Sequence, residues 1–254
     1  MDKTAFLAVF YSQFRRGKSA MTAFSLLSVI IITLFSFLSV KAAFDSSEFF
    51  ESLGLIIWLM IGLAATNLSA DVGVMDFSGR TGLLVLSQPV DRKTIITARL
   101  LACFSLMLLP LLILYLSGFL SGFALYRMYM PDALLSLEFA FLYALSFISF
   151  IVGVSSSSKE KSTPLSTGLT FSLLAVFVFA VFGKFIGIEP WFFLPYAGLI
   201  ISSTITVPHP LHVNPGNYFF YYMPYAYEAA IIMLVYTAIF ISIAFFNYSR
   251  REVI

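Results

Sequence analysis

Charged residues are scarce in this chain. Only 11% of its 254 residues are Asp, Glu, Lys or Arg, while 60% are hydrophobic and the mean hydropathy is +0.95. A soluble domain of this size needs far more charge to cover its surface. The composition therefore excludes a water-soluble globular protein and predicts a membrane protein.

The chain contains six long runs that lack any charged residue, at residues 19–40, 52–70, 100–126, 139–158, 162–183 and 229–249. Each run has 19 to 27 residues, and about 20 helical residues cross the ~30 Å hydrocarbon core of a bilayer. None shows the period-two alternation of a membrane strand. We therefore predict an all-α, polytopic membrane protein with six transmembrane helices, which form a single domain over residues 1–254.

The six runs also lack histidine. Transporters driven by protons or sodium ions need ionisable groups near the bilayer midplane. The chain contains neither of the hydrolase motifs H-E-x-x-H and G-x-S-x-G. We therefore expect no catalytic residue and no ion coupling in this chain, so energy for uphill transport would have to come from another protein.

Metal-binding and disulfide-forming residues are equally sparse. The single cysteine, Cys103, allows no internal disulfide. His209 and His212 are the only histidines, and two ligands alone do not close a metal site. The simplest interpretation is an exposed loop with two unrelated histidines, so we expect neither a metal nor a cofactor on this chain.

Basic residues are distributed unevenly between the segments that separate the runs. Segments 1–18, 71–99, 159–161 and 250–254 carry 12 of the 15 lysines and arginines, and the alternate segments carry three. Lysine and arginine concentrate in cytoplasmic loops. We therefore predict that both termini and the 71–99 loop face the cytoplasm.

One long segment carries no Asp, Glu, Lys or Arg and yet is not an obvious span. Residues 190–227 contain six prolines and many aromatic residues. A seventh span at residues 194–207 would place Arg250 and Arg251 outside and would put a proline inside a short helix. We therefore predict that residues 184–228 form an extracytoplasmic re-entrant segment between spans five and six.

The N-terminal segment is amphipathic. Phe6, Val9, Phe10 and Phe14 repeat at three- and four-residue spacing, and basic residues occupy other positions. This pattern predicts an interfacial elbow helix over residues 1–18 that lies in the inner membrane interface before span one. A frayed polar tail is the alternative, and the regular aromatic spacing disfavours it.

The loop at residues 71–99 has the most detailed local signals. Pro89 disfavours helix at Gln88, so a short helix over about 77–88 should end there. Asp91 is a plausible N-cap for a second helix that continues directly into span three. The leucines of the short helix either pack on the protein's own helix ends or fill a groove on a partner, and their periodicity does not decide between the two.

Residues 80–92 read RTGLLVLSQPVDR. A small-residue turn, a leucine-rich turn, a Ser-x-Pro-Val-x-Arg element and a helix leading into span three resemble the first cytoplasmic loop of ABC transporter permeases of the type-2 exporter class. The layout also resembles that family, with six spans, an elbow helix and a long outer segment between spans five and six. The C-terminal sequence RREVI is similar to the family's ending as well.

The resemblance implies that the chain is the transmembrane permease subunit of an ATP-driven exporter and not itself an enzyme. Two copies, or this chain and a homologous permease, would form a twelve-span dimer in the plasma membrane of a prokaryote. Each would dock a separate ABC ATP-binding subunit, which would hold ATP and Mg²⁺ and drive the transport of a lipid-like, peptide or drug-like substrate. Membrane lipids are further expected partners, and nucleic acid is not.

The resemblance also implies two sets of site residues. The coupling helix would contact the ATPase through Gly79, Arg80, Thr81, Gly82, Leu83, Leu84, Leu86, Pro89 and Arg92. Spans two and five line the dimer interface in this family, so the candidates for the substrate pathway are Trp58, Asn67, Ser69, Ser166 and Thr170. Ordinary helix packing is the alternative for each of these five. For the whole chain, the competing interpretation is a membrane scaffold or assembly factor that transports nothing.

Overall fold

The structure is a computed structural model, and it describes residues 3–74, 91–179, 185–206, 209–213 and 221–250. The described residues form eight α-helices and no strand, which confirms the predicted all-α class. We number these helices α1 (Lys3–Lys41), α2 (Ser46–Ser69), α3 (Arg92–Tyr126), α4 (Ala133–Ser157), α5 (Ser162–Phe179), α6 (Leu194–Gly198), α7 (Ile200–Ile205) and α8 (Ala226–Arg250).

Five of the described helices, α1 to α4 and α8, are long and apolar enough to cross a membrane. They overlap five of the six runs that the sequence marks as spans. The fifth predicted span is helical over α5, and its last residues, 180–183, lie outside the described part of the chain. The multi-pass character of the chain is therefore supported, and the sixth span stays a prediction.

The predicted elbow helix and the first predicted span form one helix. Helix α1 has 39 residues and continues from Lys3 to Lys41 without a break. At about 1.5 Å per residue it is about 58 Å long, roughly twice the hydrocarbon thickness of a bilayer. Its first part packs along α3, where Gln13 Nε2 donates to Cys103 Sγ at 3.8 Å. Residues 3–18 are therefore helical and continuous with the first span, and their position in the membrane interface stays a prediction.

Side-chain caps mark the starts of two long helices. Asp45 and Glu48 form a capping box at the start of α2, in which Glu48 N–H donates to Asp45 Oδ1 at 2.7 Å. Asp91 caps α3 by accepting from Lys93 N–H at 3.2 Å. The prediction that Asp91 is an N-cap is therefore confirmed.

Helix α2 occupies the centre of the described structure and contacts α1, α3, α4, α5 and α7. Helix α1 packs along α3, and α4 packs along α8. Helices α6 and α7 are buried, and together they cover only residues 194–205. At about 1.5 Å per residue these residues extend about 18 Å, too short to cross a bilayer. The structure thus has two short helices where a seventh span was considered.

Candidate functional site at the base of the loop between α2 and α3

The turn that follows α2 is held by side chains from three other helices. Ser155 Oγ of α4 donates to Ala70 O at 2.8 Å and accepts from Gly73 N–H at 2.8 Å. The carbonyl oxygen of Val72 accepts from Tyr248 OH of α8 at 2.9 Å and from Arg99 Nη1 of α3 at 3.2 Å. The last carbonyls of a helix and the turn after it lack intrahelical partners. Here other helices supply those partners, which fixes the position of residues 70–74.

The other end of the loop is held by α8. Arg92, the first residue of α3, donates from Nη1 to Tyr248 O at 3.1 Å and to Ser249 O at 3.3 Å. A guanidinium at these carbonyls complements the negative end of the α8 dipole. Tyr248 therefore connects both ends of the loop, through its hydroxyl to Val72 and through its carbonyl to Arg92. We call residues 70–74 with Asp91 and Arg92 the loop base.

Three further contacts join the loop base and α8 to the end of α4 and to the connection between α4 and α5. Lys161 Nζ lies 3.9 Å from Asp71 Oδ2. Asn247 Nδ2 donates to Ser156 Oγ at 3.1 Å and to Ser157 Oγ at 2.7 Å. The ends of α2, α3, α4 and α8 are thus linked by hydrogen bonds, and an ion pair extends this network to Lys161.

Most of the predicted coupling helix lies outside the described residues, which omit 75–90. This applies to Gly79, Arg80, Thr81, Gly82, Leu83, Leu84, Leu86 and Pro89. Arg92 is described, and its guanidinium caps α8 within the chain. These hydrogen bonds lie within the chain, and a contact of Arg92 with a partner subunit stays a prediction.

The sequence singled out Asp91 and Arg92 of the loop base but not the residues of other positions that hold it in place. Arg99 directly precedes the third apolar run, and an arginine in such a position needs a partner once it is buried. Ser155 and Tyr248 gave no such signal, since their contacts join residues that are 82 or more positions apart.

The five predicted pathway residues do not share one surface. Trp58 and Ser69 are buried, and Trp58 packs so closely against Gly198 of α6 that a Cβ there would overlap the indole ring. Asn67, Ser166 and Thr170 are exposed. Ser166 and Thr170 line a surface groove of about 450 Å³ together with Phe171 and Phe193. Trp58 and Ser69 are thus packed inside this chain, and a role of any of the five residues in a substrate pathway stays a prediction.

Each histidine faces a carboxylate at the end of the molecule opposite to the loop base. His212 Nε2 lies 3.4 Å from Glu189 Oε2, and His209 Nε2 lies 3.4 Å from Asp132 Oδ2. Each Nδ1 contacts a carbonyl, that of Met223 at 2.7 Å for His212 and that of Ser203 at 3.2 Å for His209. Because a carbonyl only accepts, each of these contacts is a hydrogen bond when Nδ1 is the donor. The interpretation as an exposed loop with two unrelated histidines is therefore too simple.

Glu189 has a second partner. Burial, with the Glu189 carboxylate nearby, raises the pKa of Tyr196 well above its usual range. The phenol therefore stays protonated and donates to Glu189 Oε1 at 2.6 Å. Among the described residues, no group of three or more His, Cys, Asp or Glu is placed to hold a metal ion. The histidine contacts are thus links between segments: residues 209–213 are joined to Glu189, to α7 and to the start of α4.

Replacing His212 with alanine should loosen the segment that it anchors. The change removes the contacts to Met223 O and Glu189, which are worth about 1 kcal/mol together. We expect amide hydrogen exchange in residues 209–213 and 221–223 to become roughly fivefold faster, since ~1.4 kcal/mol corresponds to a factor of ten. Leu211→Ala is the matched control, because the Leu211 side chain is 77% exposed. Equal exchange in the two variants would contradict the anchoring role.

Comparisons with known proteins do not assign the chain to a family. No protein-family model matches the sequence, and no curated protein matches it. The described residues define a class by themselves, an all-helical chain with five helices that are long and apolar enough to cross a membrane.

Proposed function

We propose that this chain is the transmembrane permease subunit of an ATP-driven exporter, on which a separate ATP-binding subunit docks through residues 79–92. The loop base is the observation that supports this proposal most. A loop that receives force from a partner must be mounted on rigid elements if that force is to move a membrane helix. Here α3, α4 and α8 hold both ends of the loop by hydrogen bonds. Helix α3 starts at Arg92 and continues to Tyr126, so a displacement of the loop would be passed along it.

The energy source in this proposal lies outside the chain. The predicted spans contain no Asp, Glu, Lys, Arg or His, which leaves ion coupling without the groups it needs. ATP and Mg²⁺ would be held by the partner subunit. Closure of that subunit on ATP would shift the spans between inward-facing and outward-facing states, as in other domain movements driven by a ligand.

The proposed topology has six spans with both termini in the cytoplasm, in the plasma membrane of a prokaryote. The distribution of lysine and arginine supports this orientation. Helix α5 would extend through residues 180–183 to complete the fifth span. The loop base and the N-terminal part of α1 would then face the cytoplasm, and the two histidine contacts would lie at the outer surface.

The groove on α5 is the proposed location of the dimer interface and the substrate pathway. Ser166, Thr167 and Thr170 lie toward the start of α5, and Phe171, Leu174, Val178 and Phe193 line the rest of the groove. A second copy of the chain or a homologous permease would pack here, since hydroxyl-bearing residues favour helix association in membranes. The mostly apolar lining suits a lipid-like, peptide or drug-like substrate.

Changing the coupling loop should separate the chain from its ATPase without removing it from the membrane. The double variant Arg80→Glu with Leu84→Asp places acidic groups where the proposal needs a basic and an apolar contact. After purification of the tagged chain from its native host in a mild detergent, we expect the copurifying ATPase activity to fall at least tenfold. The amount of chain in the membrane fraction should not change.

The matched control places the same two changes at the opposite end of the molecule. Arg127→Glu with Leu211→Asp also reverses one arginine and adds one aspartate at exposed positions, and it should keep the ATPase activity. Unchanged ATPase activity in the loop variant would contradict the docking assignment. If the unaltered chain purifies without any ATPase, the competing function of a scaffold or assembly factor is the better one.

A further inference from the structure

We infer that helix α1 carries a binding site for the phosphate group of an anionic phospholipid. The site is a groove of about 510 Å³ lined by Ala8, Tyr11, Ser12, Arg15 and Arg16. It lies just before the first apolar run, which begins at Ser19. The inference requires only that α1 enters a membrane, and it does not depend on the proposed transport function.

The spacing of the lining residues explains the shape of the groove. Tyr11 and Arg15 are four residues apart, as are Ser12 and Arg16, so each pair forms a ridge along the helix surface. Ala8 lies one turn before both ridges, and its small side chain leaves that end of the groove open. Two parallel ridges with a small residue at one end form a cleft that fits a compact anion.

The groove lies on the side of α1 opposite to the face that packs on α3. Gln13 and Met21 are buried on the side of α1 that packs toward α3. Tyr11 is 65% exposed, and Ser12, Arg15 and Arg16 are exposed as well. A ligand could therefore reach these side chains from the lipid or the water without any rearrangement of the helix bundle.

The lining side chains offer donors that match phosphate. Guanidinium groups bind phosphate oxygens in a bidentate manner, and hydroxyl groups of serine and tyrosine add further donors. No aspartate or glutamate occurs in α1 from Lys3 to Lys41, so the residues that line the groove are only basic or uncharged. The charge of the groove therefore favours an anion.

The depth of the arginines points to a lipid rather than to a soluble anion. Arg15 and Arg16 precede Ser19 by three or four residues, which is about 4.5–6 Å along the helix axis. The headgroup layer on each side of the hydrocarbon core is about 5–8 Å thick. The guanidinium groups therefore lie at the level of the lipid phosphates, where basic residues attract anionic headgroups.

The continuation of the same helix face supports a lipid further. Leu26, Ile30 and Leu34 follow at four-residue spacing, and their side chains are between 56% and 67% exposed. They extend the line of Arg15 and Ser19 into the apolar run. An acyl chain could lie along this stripe while its phosphate occupies the groove, so one molecule would contact both parts of α1.

The test measures phospholipid retained by the whole chain. The protein is purified in mild detergent, equilibrated with vesicles of phosphatidylglycerol and phosphatidylcholine, and analysed by native mass spectrometry. We expect Arg15→Gln with Arg16→Gln to lower bound phosphatidylglycerol at least fivefold and to leave phosphatidylcholine unchanged. Arg15→Lys with Arg16→Lys keeps the charge without the planar guanidinium groups. Its bound phosphatidylglycerol should therefore lie between the amounts bound by the unaltered chain and by the glutamine variant.

The control variant removes equal charge from the same helix. Lys3→Gln with Lys18→Gln also lowers the net charge by two, and it should retain phosphatidylglycerol at the level of the unaltered chain. Equal loss in both glutamine variants would show general attraction by charge and overturn the site. Retention in the arginine variant would overturn it too. Displacement of phosphatidylglycerol by inorganic phosphate alone would overturn the lipid assignment, because a lipid that also contacts the apolar stripe should resist it.

Discussion

Replacing Arg99 with methionine should lower the free energy of unfolding by about 2–3 kcal/mol, because a charged hydrogen bond to a buried group contributes about this much. Arg99 is only 4% exposed, and its Nη1 donates to Val72 O at 3.2 Å. Methionine fills the space of the arginine stem, so the loss comes mainly from the guanidinium group and from its effect on the end of the α2 dipole. In a thermal unfolding scan in detergent we expect Tm to fall by about 5–10 °C.

Lys93→Met provides the matched control for this experiment. Lys93 is an exposed basic residue six positions earlier on the same helix. A surface change of this kind usually alters stability by about 0.5 kcal/mol or less. Arg99→Lys keeps the positive charge and should lose less than Arg99→Met. If Arg99→Met and Lys93→Met unfold at the same temperature, the contact between Arg99 and Val72 does not stabilise the loop base.

The helices of this chain could be predicted from the sequence because their signals are local. Runs without charge predict apolar helices wherever they occur, and the carboxylate of Asp91 needs only the next few backbone amides to cap α3. The relation of the N-terminal segment to span one has no such local signal. The aromatic stripe of residues 6–14 indicates an amphipathic helix, whereas the packing of α1 on α3 is a property of the folded bundle.

The spacing of the pathway candidates along α2 predicts which of them share one face of the helix. Residues 58 and 69 are 11 positions apart, which brings them to nearly the same face of an α-helix. Residues 58 and 67 are nine positions apart, which places them on opposite faces. Trp58 and Ser69 are both buried, as expected for residues on one face, and Asn67 is exposed. Polarity suggested all three as candidates, but only their angular positions show which of them could line a surface.

Apart from the Asp91 cap, the contacts of the loop base could not be predicted, since they join distant parts of the chain. Tyr248 and Val72 are 176 positions apart, and Gly73 and Ser155 are 82 apart. No property of Tyr248 in its own helix distinguishes it from the other aromatic residues of α8. Its role arises because α8 packs along α4 and brings the phenol next to the turn after α2.

Replacing Gly73 with alanine should weaken the attachment of that turn to α4. A Cβ at residue 73 would overlap the backbone of Ser155 and Ser156, and backbone cannot move aside as a flexible side chain can. Overpacking of this kind typically costs about 1–3 kcal/mol. The shift would also strain the hydrogen bond from Gly73 N–H to Ser155 Oγ. We expect Tm to fall by about 2–12 °C in detergent, at about 2–4 °C for each kcal/mol.

Gly17→Ala is the informative comparison, because the same added methyl group meets a different neighbour. At residue 17 its closest contact would be the Cδ1 atom at the end of the Leu106 side chain, and that side chain can change rotamer. Alanine inside a helix is also favoured over glycine by about 1 kcal/mol, which offsets the cost of moving Leu106. Gly17→Ala should therefore unfold within a few degrees of the unaltered chain.

Equal loss of stability in both variants would mean that any added methyl group is harmful, and no loss at Gly73 would mean that the turn is not fixed against α4. Only a selective loss at Gly73 supports a rigid attachment, which the loop between α2 and α3 needs if it is to pass force to α3.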